Sequence, residues 1–336
     1  GRRGSSEEQT QEKEKKKVSG MKYAGKARLV TEEVEKVIAG KQACVEKIMM
    51  AFLAGGHVLI EDIPGVGKTT LAVAFARAMD LDQGRVQFTP DVMPSDITGF
   101  SMYGKEDGTF HYHPGAVMCN LFLADEINRT SAKTQAALLE VMEEGAVTVD
   151  GVTYPVPEPF QVIATENPIG SVGTQMLPES QLDRFMICVV MGYPSRRDEI
   201  EILTGNAGYP SLREMQAVIT ADDLIRMQAE TREVFIHKVI YDYIVSLAEA
   251  TRNHPMLALG LSPRGSLAAV QMAKAAAYMN GRTFVVPDDV TQVFGDIARH
   301  RVILNAQAKA SRVSADDVLA EILESVKKPR PEKKQK

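Results

Sequence analysis

Apolar positions along the chain fall into two alternating textures. His57–Ile60, Arg85–Thr89, Leu121–Ala124, Phe160–Thr165 and Phe185–Val190 are stretches of four to six residues rich in apolar and β-branched side chains. They predict short strands. Between them the apolar residues take helical spacing. Val45, Ile48, Met49 and Phe52 share one face of a helix expected over Gln42–Leu53, which Gly55-Gly56 ends. Leu71, Phe75 and Met79 predict a helix after the first strand, and another is expected from Lys133 to Glu144. A first helix is expected over Thr31–Ala39, stopped by Gly40. Strands alternating with helices predict an α/β fold whose parallel sheet is covered on both faces.

Two stretches break this alternation. Phe100–Gly115, punctuated by Gly104 and Gly108, reads as a hairpin. So does Ala146–Pro157, where Asp150-Gly151 separates Thr148-Val149 from Thr153-Tyr154. After Tyr193-Pro194 no strong strand remains. Helix starts recur at Thr220-Ala221-Asp222-Asp223, Val286-Pro287-Asp288-Asp289 and Ser314-Ala315-Asp316-Asp317, each a cap residue or Pro followed by acids that suit the helix dipole. The expected organisation is a basic disordered tail over 1–26, an α/β core over 27–194, a small all-α domain over 195–326 and a second basic tail over 327–336.

The first strand leads into Pro64-Gly65-Val66-Gly67-Lys68-Thr69-Thr70. A triphosphate needs several backbone N–H groups aimed inward, and Gly65 and Gly67 allow that approach at the start of a helix. Lys68 sets a cation on the outer phosphates, and the Thr69 hydroxyl can hold Mg²⁺. The strict phosphate-loop pattern starts with Gly, and that position is Asp62 here. Asp125-Glu126 follows the apolar strand Leu121–Ala124: Asp125 is placed to bind Mg²⁺, and Glu126 to polarise an attacking water. Asn167 ends a further strand and could orient that water, but alone it reads equally as a loop amide. Arg184 and Arg264 are ambiguous in isolation, although hydrolysis of a phosphate anion calls for extra positive charge in the transition state. No Asn-Lys-x-Asp run specifies guanine, so ATP is the expected nucleotide.

Composition narrows the function classes. The chain has 336 residues, 44% hydrophobic, enough for more than one core. No apolar run is long enough to span a bilayer. Cys44, Cys119 and Cys188 are scattered through apolar stretches and read as buried small hydrophobes in a reducing cytoplasm. The net charge of −5 hides +4 over 1–26, +5 over 327–336 and −14 on the body between them. An acidic body argues against the main alternative, a nucleic-acid motor or transcription regulator.

These segments together resemble the MoxR family of AAA+ ATPases. The resemblance rests on Ala54–Asp62 with the loop, Gln87–Asp91, Pro94–Gly99, Leu123–Arg129, Leu177-Pro178-Glu179, Gln181–Phe185 and Leu261–Gly265, and it spans about 27–326. Glu61-Asp62 before the loop looks like the family's habitual form. The resemblance implies an AAA+ αβα core with a helical lid. It places Val37 and Ile38 beside adenine, Asp62, Pro64, Val66 and Thr70 with the loop on ATP, and Asn167 as sensor 1. Arg264 is then the sensor 2 arginine, reaching nucleotide from the lid of its own chain. Arg184 is the arginine finger, acting on ATP held by a neighbour. The two hairpins become the helix-2 insert and the pre-sensor-1 hairpin. A site completed by a neighbour implies a homo-oligomeric ring, most often a hexamer. The family implies chaperone-like remodelling or maturation of protein clients, including metal insertion, with partners carrying von Willebrand factor A domains. Glu166 and Lys41 depart from the pattern, standing where Gln is more usual.

Overall fold

The computed structural model describes residues 21–38, 40–61, 67–167, 174, 176–204 and 212–330. Asp62, Pro64, Gly65 and Val66, and the tails over 1–20 and 331–336, lie outside the described residues. The first half of the chain runs α1 (Ala24–Glu35), α2 (Gln42–Leu53), β1 (Val58–Glu61), α3 (Lys68–Ala78), β2 (Gln83–Gln87), α4 (Pro94–Thr98), β3 (Gly99–Gly104), β4 (Thr109–Pro114), β5 (Leu121–Asp125), α5 (Ala132–Glu144), β6 (Ala146–Val149), β7 (Val152–Pro155), β8 (Gln161–Glu166), α6 (Glu179–Leu182) and β9 (Ile187–Val190). It continues with α7 (Arg196–Leu203), α8 (Ala221–Arg232), α9 (Lys238–Arg252), β10 (Leu257–Leu259), α10 (Pro263–Met279), α11 (Pro287–Ala298), β11 (Ile303–Leu304), α12 (Ala306–Ala310) and α13 (Ala315–Ser325).

Five strands form one parallel sheet in the order β2-β5-β8-β1-β9. Alternate residues point to opposite faces. Val58, Ile60, Leu123, Ile163 and Ile187 face a core shared with α1–α3, whereas Leu59, Phe122, Ala124, Val162 and Cys188 face α5 and the hairpins. The first of these cores runs on without a break into Leu247, Ala276 and Phe294 of the helical region. The lid is therefore packed onto the α/β core through a continuous apolar cluster. All three cysteines are buried and unbridged. Burial pushes the Cys119 thiol up to about 12.

Both expected hairpins are present as antiparallel pairs, β3–β4 and β6–β7, and Tyr112 stacks on Tyr154 at 3.9 Å to join them. The three acid-rich helix starts also form. Thr220 and Ser314 accept from the N–H groups of Asp223 and Asp317, and Asp289 accepts from the Val286 N–H.

Four expectations shift. The first helix begins at Ala24, not Thr31, because Ala27, Val30, Thr31 and Val34 make one buried face despite the charged residues among them. Lys26 pairs with Asp223 at 3.3 Å, so the tail boundary expected at 26 falls inside a packed helix. The second strand runs Gln83–Gln87, with Gly84 inside it; a Cβ there would lie 2.7 Å from the Ala116 carbonyl oxygen. Among its described residues the lid carries a minimal ribbon, β10–β11, between its helices.

Candidate functional site

The carboxyl ends of the parallel strands carry the phosphate-loop helix and the acidic pair on one edge of the sheet. Gly67, at φ +69°, caps α3, and Lys68, Thr69 and Thr70 form its first turn, where the positive end of the helix dipole favours an anion. Asp125 closes β5 and is buried. Its two carboxylate oxygens accept from Thr165 Oγ1 at 2.8 Å and from Arg85 Nη2 at 3.0 Å. Glu126 follows in the left-handed region at φ +55°, a conformation that costs a non-glycine residue about 1 kcal/mol and concentrates at functional sites. Its N–H donates to Thr165 Oγ1 at 2.9 Å, and its carboxylate accepts from Gln87 at 2.9 Å and Arg129 at 3.0 Å. Thr165 thus fixes both acids at once. Its signal in the sequence was only a hydroxyl at the end of an apolar strand.

Asn167 lies one residue past β8, and its carbonyl accepts from Asn128 Nδ2 at 3.1 Å. Val37 and Ile38 follow α1, with Ile38 in the core. Lys41 donates to the carbonyls of Met191 at 2.6 Å and Tyr193 at 3.1 Å, tying this stretch to the end of β9. That is a structural use for one of the two departures. Among the described residues no three acidic, histidine or cysteine side chains make a self-contained metal cage. Mg²⁺ needs none: it binds through one or two protein oxygens together with phosphate and water, and the donor set of Thr69 and Asp125 fits it.

Glu166, the other departure, pairs in register with Glu61 across β8 and β1. It is only 3% exposed, and its Oε2 has no hydrogen-bond partner. Burial first, and then the charge of Glu61, push the Glu166 carboxyl up to about 8. Burial and the facing Glu61 carboxylate therefore favour a proton on this pair.

Arg184 and Arg264 lie at the opposite edge. Arg184 precedes β9, and the Met186 N–H donates to the His57 carbonyl just before β1. Four residues of β1 at about 3.3 Å each put this edge about 13 Å from Glu61. Arg264, in the first turn of α10, donates to Glu143 Oε1 at 2.7 Å, and Arg184 Nε lies 3.2 Å from Glu143 Oε2. The expected position of Arg264, over the nucleotide of its own chain, is corrected: packing of the lid onto β9 carries it to the strand-start edge beside Arg184. A cleft of about 200 Å³ lined by Gly55, His57, Glu143, Arg184, Arg264 and Arg301 opens there.

Three consecutive lid residues hold this edge in place, none of them singled out from the sequence. Arg299 donates to the Cys188 carbonyl, and His300 Nε2 lies 2.8 Å from the Phe185 carbonyl. Arg301, with its side chain 3% exposed, binds Asp183 at 2.6 Å and the carbonyls of Phe185 and Met186. Ser262, the cap of α10, donates to Asp183 as well. Arg184 and Arg264 are thus built on one rigid lid–core junction.

Comparison with known proteins agrees with this architecture. The model of the ATPase family associated with various cellular activities (AAA) matches residues 57–187, and the AAA lid domain matches 249–322. The chain is 45% identical over 298 residues to the uncharacterized protein YeaC of Bacillus subtilis, covering 89% of this chain and 93% of that one. It is 40% identical over 306 residues to Chaperone MoxR1 of Mycobacterium tuberculosis, covering 88% and 81%. A crystal structure of a candidate ATPase from Cytophaga hutchinsonii superposes with a TM-score of 0.84 at 35% identity, over 96% of this chain and 99% of that one.

Proposed function

The chain belongs to the MoxR family of AAA+ ATPases, and from that premise we propose that it hydrolyses ATP at a site shared between neighbouring copies in a ring. One observation carries this reading. The phosphate-loop helix, Asp125, Glu126 and Asn167 sit at one edge of the sheet, and Arg184 and Arg264 sit together at the other. One chain cannot bring both sets to the same phosphate, but head-to-tail packing can, and such an interface, repeated with a rotation that closes, makes a ring.

In this reading Gly65, Gly67 and Lys68 hold the triphosphate, with Asp62, Pro64, Val66 and Thr70 completing the loop and Val37 and Ile38 beside adenine. Thr69 and Asp125 hold Mg²⁺, which neutralises phosphate charge when bound. Glu126 accepts a proton from the attacking water, which Asn167 orients. Arg184 and Arg264 of the neighbour meet the negative charge that develops on the transferred group. The ring is a hexamer working in the cytoplasm. It remodels or matures protein clients, metal insertion among them, with a partner carrying a von Willebrand factor A domain. The name of the Mycobacterium tuberculosis relative supports the chaperone part. Exposed Phe100, Met102, Tyr103 and Phe110 on the β3–β4 hairpin offer an apolar surface for a client.

The test is complementation. Arg184→Ala should lose hydrolysis, and so should Lys68→Ala. Mixing the two should restore part of it, because some interfaces then pair an intact loop with an intact arginine. A mixture as inactive as its components would overturn the shared site.

A further inference from the structure

Glu143 and Glu144 close α5, the negative end of a helix dipole, and the last turn holds no basic residue. Two acids there are locally unfavourable. Where a local rule is broken in this way, a compensating contact is to be expected. Glu143 has one: its two carboxylate oxygens face Arg264 and Arg184. The hydrogen bond from Arg264 first, and then the charge of Arg184, hold its carboxyl below the ordinary glutamate range.

The surroundings leave this task to Glu143. Arg301 is nearby, but it is committed to Asp183 and to backbone carbonyls. Asp183 in turn is occupied by Arg301 and Ser262. Arg184 belongs to the α/β core and Arg264 to the lid. Two guanidinium groups brought this close repel each other, and their long side chains have many rotamers. Glu143 is the carboxylate that joins them. At 39% exposed it is accessible enough for an incoming anion to share the same two arginines.

We propose that Glu143 is the positioning residue of the arginine pair, holding Arg184 and Arg264 side by side so that both reach the triphosphate bound by a neighbouring copy. This rests on the shared-site reading above. Glu143 itself touches no substrate. Its effect therefore falls on turnover, while the ATP KM stays with the residues of the phosphate-loop edge. Misplacing a catalytic group by about 1 Å costs on the order of a hundredfold, so Glu143→Gln should lower kcat about ten- to hundredfold, with KM changed less than about threefold. Glu143→Asp, which keeps the charge on a shorter arm, should recover part of the loss.

The decisive experiment places the substitution on one side of the interface at a time, using full-length chains. Lys68→Ala is the arginine donor, and Arg184→Ala is the nucleotide-binding acceptor. The donor carrying Glu143→Gln as well should rescue the acceptor about tenfold less than the plain donor does. The acceptor carrying Glu143→Gln should be rescued as well as the plain acceptor, because its own arginine pair is already broken. Equal rescue in both arrangements, or loss only on the acceptor side, overturns the role given to Glu143. Rescue that fails even for the plain pair overturns the shared site, and this proposal with it. A thermal melt of each chain, expected within a few degrees of the parent, separates a folding defect from either result.

Discussion

Replacing Glu166 with Gln should stabilise the protein, and by more at high pH than at low. Glu166 is buried beside Glu61, and its carboxyl is pushed up to about 8 from 4.5. Between those two values the folded chain keeps a proton that the unfolded chain releases. Stability therefore falls as pH rises, by about 1.4 kcal/mol per unit for one full proton. It is fully present below 4.5 and lost up to about 8. At pH 7 the accumulated cost is about 3 kcal/mol, and between pH 6 and pH 8 it grows by about 2 kcal/mol. Gln has nearly the same shape, its amide can donate to Glu61, and it has no proton to hold. The variant should melt higher than the parent, and at about 2 °C per kcal/mol the gap should widen by about 4 °C from pH 6 to pH 8. Thermal unfolding of both chains at pH 6, 7 and 8 measures this. A gap that stays flat with pH, or a variant that melts lower throughout, would refute the protonated Glu166.

Glu126→Gln should still bind ATP but hydrolyse it about 10²–10⁴-fold more slowly, as loss of a general base does; unchanged turnover in a phosphate-release assay would reject that role. Thr165→Val removes the hydroxyl that fixes both Asp125 and Glu126. It should lower kcat about tenfold or more and, by leaving a buried acceptor and donor unpaired, cost about 1–3 kcal/mol of stability; steady-state kinetics at wild-type speed would show the acids hold themselves. Arg301→Met strips a buried guanidinium from Asp183 and from the carbonyls of Phe185 and Met186, so it should cost about 3–5 kcal/mol in urea unfolding. With an acidic body, the chain's ATPase rate should not respond to DNA or RNA at physiological salt; strong stimulation would favour a nucleic-acid motor instead.

The sheet, both hairpins and the acidic pair were legible because each is encoded over a few adjacent residues. An apolar run, an Asp-Gly turn or an acid just past a strand needs no partner to be recognised. The first helix was misjudged because charged residues interrupt its buried face, and their partners, Asp223 for Lys26 and Asn280 for Arg28, lie about two hundred residues or more away. A separation of more than a hundred residues likewise hid the clamp formed by Arg299, His300 and Arg301. Arginine and histidine on a helical segment read as solvated until the fold brings the carbonyls of Phe185, Met186 and Cys188 against them. Arg264 is the instructive case. The resemblance carried by Leu261–Gly265 singled it out, but the edge of the sheet on which it lies was not legible, since that depends on how the lid packs.

That packing sets what the lid can do. Had Arg264 lain over the phosphate loop of its own chain, lid movement would close or open one site. The lid is instead fastened to the start of β9 by Arg299, His300 and Arg301, and α10 is fastened to Asp183 by Ser262. Asp183 adjoins Arg184. A shift of the lid therefore cannot leave Arg184 where it is without breaking a buried ion pair and several backbone contacts, at a cost of several kcal/mol. The first core cluster adds to this, because it runs unbroken from the sheet into α9, α10 and α11. Lid, Arg184 and Arg264 are accordingly fastened together, and the strand-start edge presents its two arginines as a unit.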